Sequence, residues 1–273
     1  MQKKQLCLST SSLLKMSIEE QIRMFHKIGF DAFFTRWDPN LKKYQKTAER
    51  YGILYQSVHA PNENTEKLWL KKDDARDVVT QWQRCISDCA EIGVSIVVLH
   101  PWRGIDTVGI PTKEGIENFS YVIDTAMQKN IKIAIENCEG EVYLAYLLDA
   151  FSDCENVGFC WDSGHELCYN RGEDMLERHG KRLFCTHLND NRGITSLDGK
   201  ISCSDDLHLL PFDGIGDWEE TVTRLAKIKY GGMLTFELKK GIAYQAMTDD
   251  CYLQEAYARA QQFATMFKKT ESV

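Results

Sequence analysis

Proline is scarce, with five in 273 residues. No Ser/Gly-rich linker or low-complexity tract interrupts the chain either, so residues 1–273 read as a single domain. No apolar run approaches the roughly 18 residues needed to cross a bilayer, and no membrane span is expected. The basic start, "MQKKQLCLSTSSLLK", has only short apolar stretches broken by Lys15, so no signal peptide is read there. No CxxC pair or disulfide framework organises the ten cysteines. They are scattered through predicted strands and helices, and a reducing cytoplasm is the expected compartment. Positive charge is also in deficit: 33 Lys and Arg stand against 40 Asp and Glu, a net charge of −7. Such a field repels a phosphate backbone, which disfavours nucleic acid as a partner and leaves a small molecule as the expectation.

What is present is an alternation of two textures. Short β-rich runs fall at 5–9, 31–35, 53–58, 95–99, 131–135, 157–161, 183–186 and 233–236. Amphipathic helical patterns lie at about 17–28, 40–51, 71–92, 112–129, 141–152, 171–179, 217–228 and 249–268. Ser17 with Glu20 reads as a capping box, and Gly29, Gly52, Gly93 and Gly180 close helices. Continuously apolar strands separated by helices belong in a parallel sheet covered on both faces, and eight of them predict an α/β fold, a single (β/α)8 TIM barrel. An open doubly wound sheet would carry a glycine-rich turn after its first strand, and "CLSTSSLLK" has none.

Six successive strands end in residues that ligate metals. "SVHAP" supplies His59, "VLHPW" His100, "AIENC" Glu136, "CWDSGH" Asp162 and His165, "CTHLND" His187, and "TFELK" Glu237. In a barrel all of these strand ends share one rim, so residues remote in sequence converge. The interval from His187 to Glu237 is 50 residues, longer than one helix needs, and its excess loop carries Asp206 and His208. Four carboxylates in one pocket would repel one another without a cation. Mixed imidazole and carboxylate donors suit Zn²⁺, Mn²⁺, Co²⁺ or Fe²⁺ better than Ca²⁺. Glu136 and Glu237 are then placed to remove and return a proton beside a cation-polarised carbonyl, which is isomerase or epimerase chemistry. The same ligands are also able to hold a water for hydrolysis.

Trp37, Trp69 and Trp102 follow strand ends and are candidates to stack on a sugar. Arg36, Arg103, Asn189, Arg192 and Lys239 are candidates to hold hydroxyls or a phosphate, although no glycine-rich phosphate cradle is evident. Asp162, directly before Ser163, also suits a helix N-cap.

Taken together, "VHAP", "VLHPW", "IENC", "WDSGH", "HLNDNRG", "DLHLLPFDGIGDW" and "FEL", in order and at strand ends, resemble the xylose isomerase-like TIM-barrel superfamily. That superfamily includes sugar and sugar phosphate isomerases and epimerases, inosose dehydratases and apurinic-site endonucleases. The resemblance to its epimerase branch implies one divalent metal, Zn, Mn or Co, on Glu136, Asp162, His187 and Glu237. It also implies that both glutamates act as acid and base, and that substrate contacts come from His165 and an Arg after the seventh strand, for which Arg192 is the nearest match. The endonuclease branch implies three zinc ions, for which His59, His100, His165, Asp206 and His208 complete a set of nine ligands. The expected function is a metal-dependent sugar isomerase or epimerase working through an enediolate. The alternatives are a phosphodiesterase with a trinuclear zinc site and an inosose dehydratase-like lyase. The family also suggests homo-oligomers.

Overall fold

Ser17 starts the first helix as its capping box predicts: its backbone N–H donates to Glu20 Oε2 at 2.8 Å, and its hydroxyl accepts from the Glu20 N–H at 3.3 Å. The computed structural model describes residues 4–105 and 109–270. Among these, the strands are β1 (Leu6–Ser9), β2 (Ala32–Arg36), β3 (Leu54–His59), β4 (Ile96–Leu99), β5 (Lys132–Glu136), β6 (Val157–Asp162), β7 (Leu183–His187) and β8 (Leu234–Phe236). The helices are α1 (Ile18–Ile28), α2 (Leu41–Tyr51), α3 (Lys72–Glu91), α4 (Lys113–Gln128), α5 (Glu141–Ala150), α6 (Ser163–Cys168), α7 (Met175–His179), α8 (Trp218–Lys227) and α9 (Asp249–Thr270). None of the helices is long and apolar enough to cross a membrane.

All strand pairs are parallel, in the order β7-β6-β5-β4-β3-β2-β1-β8. The barrel closes between the two ends of that order through a narrow seam. Leu188 bridges Phe236, its N–H donating to Thr235 O at 2.7 Å and its carbonyl accepting from the Glu237 N–H at 3.2 Å. The Thr186 hydroxyl takes the place of a backbone acceptor for the Thr235 N–H, at 3.1 Å. His187 and Glu237 therefore flank the closing bridge.

The chain differs from its sequence reading after β6. In place of one helix over 171–179 there are two short ones, because Asp162 caps a helix immediately, its Oδ1 accepting the His165 N–H at 2.7 Å. This first turn swings His165 back over the barrel mouth.

Two-residue alternation fixes what faces inward. Val98, Ala134, Cys160 and Cys185 form one buried cluster inside the barrel. Two positions further along the same strands come His100, Glu136, Asp162 and His187, which therefore occupy the next layer toward the C-terminal rim. The apolar faces of α3 and α4 cover the outside, where Trp69, Trp82 and Phe119 pack together.

Candidate functional site

The strand-end and long-loop residues meet in three groups, two of which share the Glu136 carboxylate. Glu136 Oε2 stands 3.3 Å from both His59 Nε2 and His100 Nε2. Glu136 Oε1 lies 3.0 Å from His187 Nδ1, which is also 3.0 Å from Glu237 Oε2, and Asp162 completes this second group. His165, Asp206 and His208 form the third, with Asp206 Oδ2 2.9 Å from His208 Nε2 and Oδ1 3.6 Å from His165 Nε2. Within each group the donor atoms lie inside 4.8 Å of one another. All but the half-buried Asp206 are shielded from solvent.

Two features fit these groups to divalent cations. First, Glu136 Oε2 and Asp206 Oδ1 are buried without a hydrogen-bond partner, although imidazole nitrogens crowd both carboxylate oxygens. Lone pairs that converge without hydrogen-bonding suit a shared positive centre. Second, three imidazoles are turned by backbone carbonyls, which only accept: Nδ1–H of His59 donates to Ala60 O at 2.7 Å, that of His165 to Asn137 O at 2.8 Å, and that of His208 to Glu237 O at 3.0 Å. Each Nε2 is thereby turned toward a carboxylate, the orientation that a metal-ligating histidine takes. Asp162 is oriented as firmly, its two oxygens accepting from Asn189 Nδ2 at 3.0 and 2.9 Å while Asn137 pairs with its backbone.

The electrostatics are those of mutually neutralising charges. Burial would raise the Glu136 carboxyl, but His187 and His100 outweigh it and hold it well below the ordinary carboxylate range. Glu237 is depressed in the same way, against burial, by His187 and His208, and Asp206 by His208 and His165. In return, acids override burial to lift His187, His165 and His208 above the usual histidine value. Burial pushes Asp162 up and His59 down.

Residues 22–262 match the family described as xylose isomerase-like TIM barrel. The chain belongs to that family. Among curated relatives of this xylose isomerase-like barrel, an uncharacterised Sinorhizobium fredii protein, y4fM, is 28% identical over 260 residues, covering 84% of this chain and 80% of the relative. A probable endonuclease 4 of Staphylococcus aureus is 26% identical over 174 residues, 57% of this chain and 58% of its own length. Among solved structures, the IolI protein with a bound zinc atom superposes with a TM-score of 0.78 at 19% identity, covering 96% of this chain and 99% of that one. A D-tagatose 3-epimerase-like protein gives 0.73 at 20% identity, covering 97% and 99%. At these identities the superpositions establish the shared fold.

The long loop of this xylose isomerase-like barrel, which brings Asp206 and His208 to the rim, is anchored by Asp190. That buried carboxylate accepts from the N–H groups of Asn191 and Gly216 and from Trp218 Nε1, each at 2.9 Å. Gly214 must lack a side chain, because a Cβ there would collide with Asp190 and with the Asn191 carbonyl. Gly164 is constrained likewise: a Cβ would strike the Asn189 amide that holds Asp162. These two glycines, with Asn137 and Asp190, went unread in the sequence; the only available signal was their position inside the ligand-bearing motifs. Asp190→Ala is expected to lower the unfolding free energy by about 2–4 kcal/mol, since three buried donors lose their acceptor. Urea denaturation measures this, and a midpoint equal to that of the parent would refute it.

The other residues named from sequence divide. A pocket of about 170 Å³ above the ligands is lined by His59, His100, His165, Asp206, His208 and Glu237, and also by Arg36, Arg103 and Lys239. Arg192 is exposed and does not line it. Trp37 donates to Asp88 at 3.0 Å, and Trp102 stacks on Tyr143 at 4.4 Å; both rings are engaged in packing away from the pocket lining. Trp69 is buried, donating to Pro101 O at 2.7 Å. Asn189 acts on Asp162 and does not line the pocket.

Proposed function

We propose that this chain is a divalent-cation-dependent isomerase or epimerase of sugars or sugar-like polyols. The observation that carries the reading is the convergence of Glu136 and Glu237 on His187, each at 3.0 Å, from strands three apart in the barrel. Glu136, Asp162, His187 and Glu237 would hold the cation. When bound, it would polarise a substrate carbonyl and make the neighbouring C–H more acidic. Glu136 and Glu237, both ionised, are then the bases available to take that proton and return one. Asn189 and Asn137 keep Asp162 fixed, and His165, held by the Asn137 carbonyl, faces the pocket to meet a substrate hydroxyl. The sugar epimerases and the zinc-bearing IolI structure among the similar barrels support this reading. A cytoplasmic enzyme acting on small molecules, with the option of self-association, completes the proposal.

A second reading rests on a specific observation. Glu136 belongs to two ligand groups, and a third group stands beside them, so the chain has donors for three ions. That arrangement suits a phosphodiesterase, and the probable endonuclease 4 among the relatives points the same way.

The test is to incubate Mn²⁺- or Co²⁺-loaded protein with a ketose panel in D₂O. Solvent deuterium entering the carbon beside the carbonyl is the expected result. Absence of exchange with every substrate, together with cleavage of an abasic duplex, would replace this reading with the second. Metal analysis adds a further check: about one ion per chain fits the isomerase and about three fit the phosphodiesterase.

A further inference from the structure

We infer that the substrate is an anion, a sugar bearing a phosphate monoester or a carboxylate, and that Arg36, Arg103 and Lys239 grip its charged group at the pocket mouth. The reaction assigned to that substrate rests on the isomerase reading above; the anion grip does not.

The three cations reach the same small pocket from different places, Arg36 at the end of β2, Arg103 in the loop after β4 and Lys239 just beyond β8. In a chain of net charge −7 this gathering needs a cause. Most of the ligand acids do not supply one: Glu136, Asp162 and Glu237 are held by imidazoles and Asn189, and of these acids Asp206 alone reaches one of the three cations. Only Lys239 has a counter-ion, Asp206 at 3.2 Å. Arg103 makes one long contact with Asn62 Oδ1 at 3.4 Å, and the Arg36 guanidinium has no ion pair or hydrogen bond among the described residues. Both arginines are exposed. Glu139 is the further acid in the lining, on the His100 side of the pocket.

Arg36, Lys239 and Glu237 also line a second pocket of about 620 Å³, walled by hydroxyls of Ser9, Thr10 and Ser11. The two cations therefore stand at the neck between the small pocket over the ligands and the larger one outside. An anionic group bound at that neck would leave the reacting carbons over Glu136 and Glu237. Arginine's planar fork matches phosphate or carboxylate oxygens in pairs. The hydroxyls of a neutral sugar would accept hydrogen bonds from these side chains, but an anion adds charge-assisted pairing that better offsets the cost of ordering three long cationic side chains.

The test uses metal-loaded protein in two assays, titration with inorganic phosphate by calorimetry and D₂O exchange with matched free ketoses, ketose phosphates and keto-sugar acids. Arg36→Ala is compared with the parent and with Arg76→Ala, an exposed arginine on α3 remote from the pocket, after circular dichroism has shown the same fold. Arg36→Ala is expected to weaken phosphate binding about tenfold or more, the size of one lost charge-assisted hydrogen bond, while Arg76→Ala does not. Exchange restricted to phosphates or to acids identifies which anion is used. Equal kcat/KM for free and charged ketoses, with phosphate affinity unchanged in Arg36→Ala, overturns the inference and leaves the isomerase standing. Arg36-dependent phosphate binding with no exchange on any sugar does the reverse.

Discussion

Glu136→Gln is expected to reduce deuterium exchange by about 10³-fold or more, because positioned proton transfer alone accounts for 10²–10⁴ and cation binding fails with it. Glutamine keeps the shape of the side chain but cannot take up a proton, and its amide nitrogen would carry hydrogens toward imidazole nitrogens that now face a carboxylate. Glu136 serves two ligand groups and Glu237 only one. Glu136→Gln should therefore lower metal content at both groups, whereas Glu237→Gln should spare the His59–His100 pair while also losing exchange. Metal analysis and proton NMR in D₂O read the two effects separately. Retained exchange in both variants would remove the glutamates as proton carriers.

The second large effect is on stability. Stripping the cation should leave a protein that weakens as pH rises, because His187, His165 and His208 have their pKa values raised in the fold by neighbouring acids. The stabilisation from their protonated forms is complete below the unfolded histidine value, about 6.5, and is lost as pH climbs through the raised folded values. Glu136, Glu237 and Asp206 act in the opposite sense. Their depressed pKa values stabilise above the ordinary carboxylate range, and that contribution disappears as pH falls. The cation-free protein should thus be most stable between these limits, on the acid side of neutrality. A cation needs the imidazoles deprotonated, so it binds more tightly as pH rises. At a thousandfold excess over its dissociation constant it would add about 4 kcal/mol. Melting temperatures measured from pH 5 to 9 with and without Zn²⁺ or Mn²⁺ should diverge upward; parallel curves would contradict the assignment.

Much of this was readable from residues alone because two rules are local. Alternation of β and α textures gave the eight strands, and a period of two along each strand carried His100, Glu136, Asp162 and His187 inward above the small interior residues. The nine ligand types were legible because each sits at a strand end or in the one overlong loop. The fate of loop side chains was not, since it depends on partners far away in sequence. Trp37 turns to Asp88, Trp102 to Tyr143, and Arg192 to solvent, and nothing near them in the chain announces those choices. The split helix after β6 was legible only as the N-cap option at Asp162, because the six residues of α6 are too few for a periodicity count to register.

The seam between β7 and β8 gives the cluster a mechanical meaning. Elsewhere neighbouring strands pair over two to five residues, but here one bridge at Leu188 and a threonine hydroxyl complete the hoop. His187 and Glu237 sit on opposite sides of that join, so an ion held by both would act as a buckle. Fastening the ion and fastening the barrel would then become one event, and removing the ion would also loosen the wall that shapes the pocket.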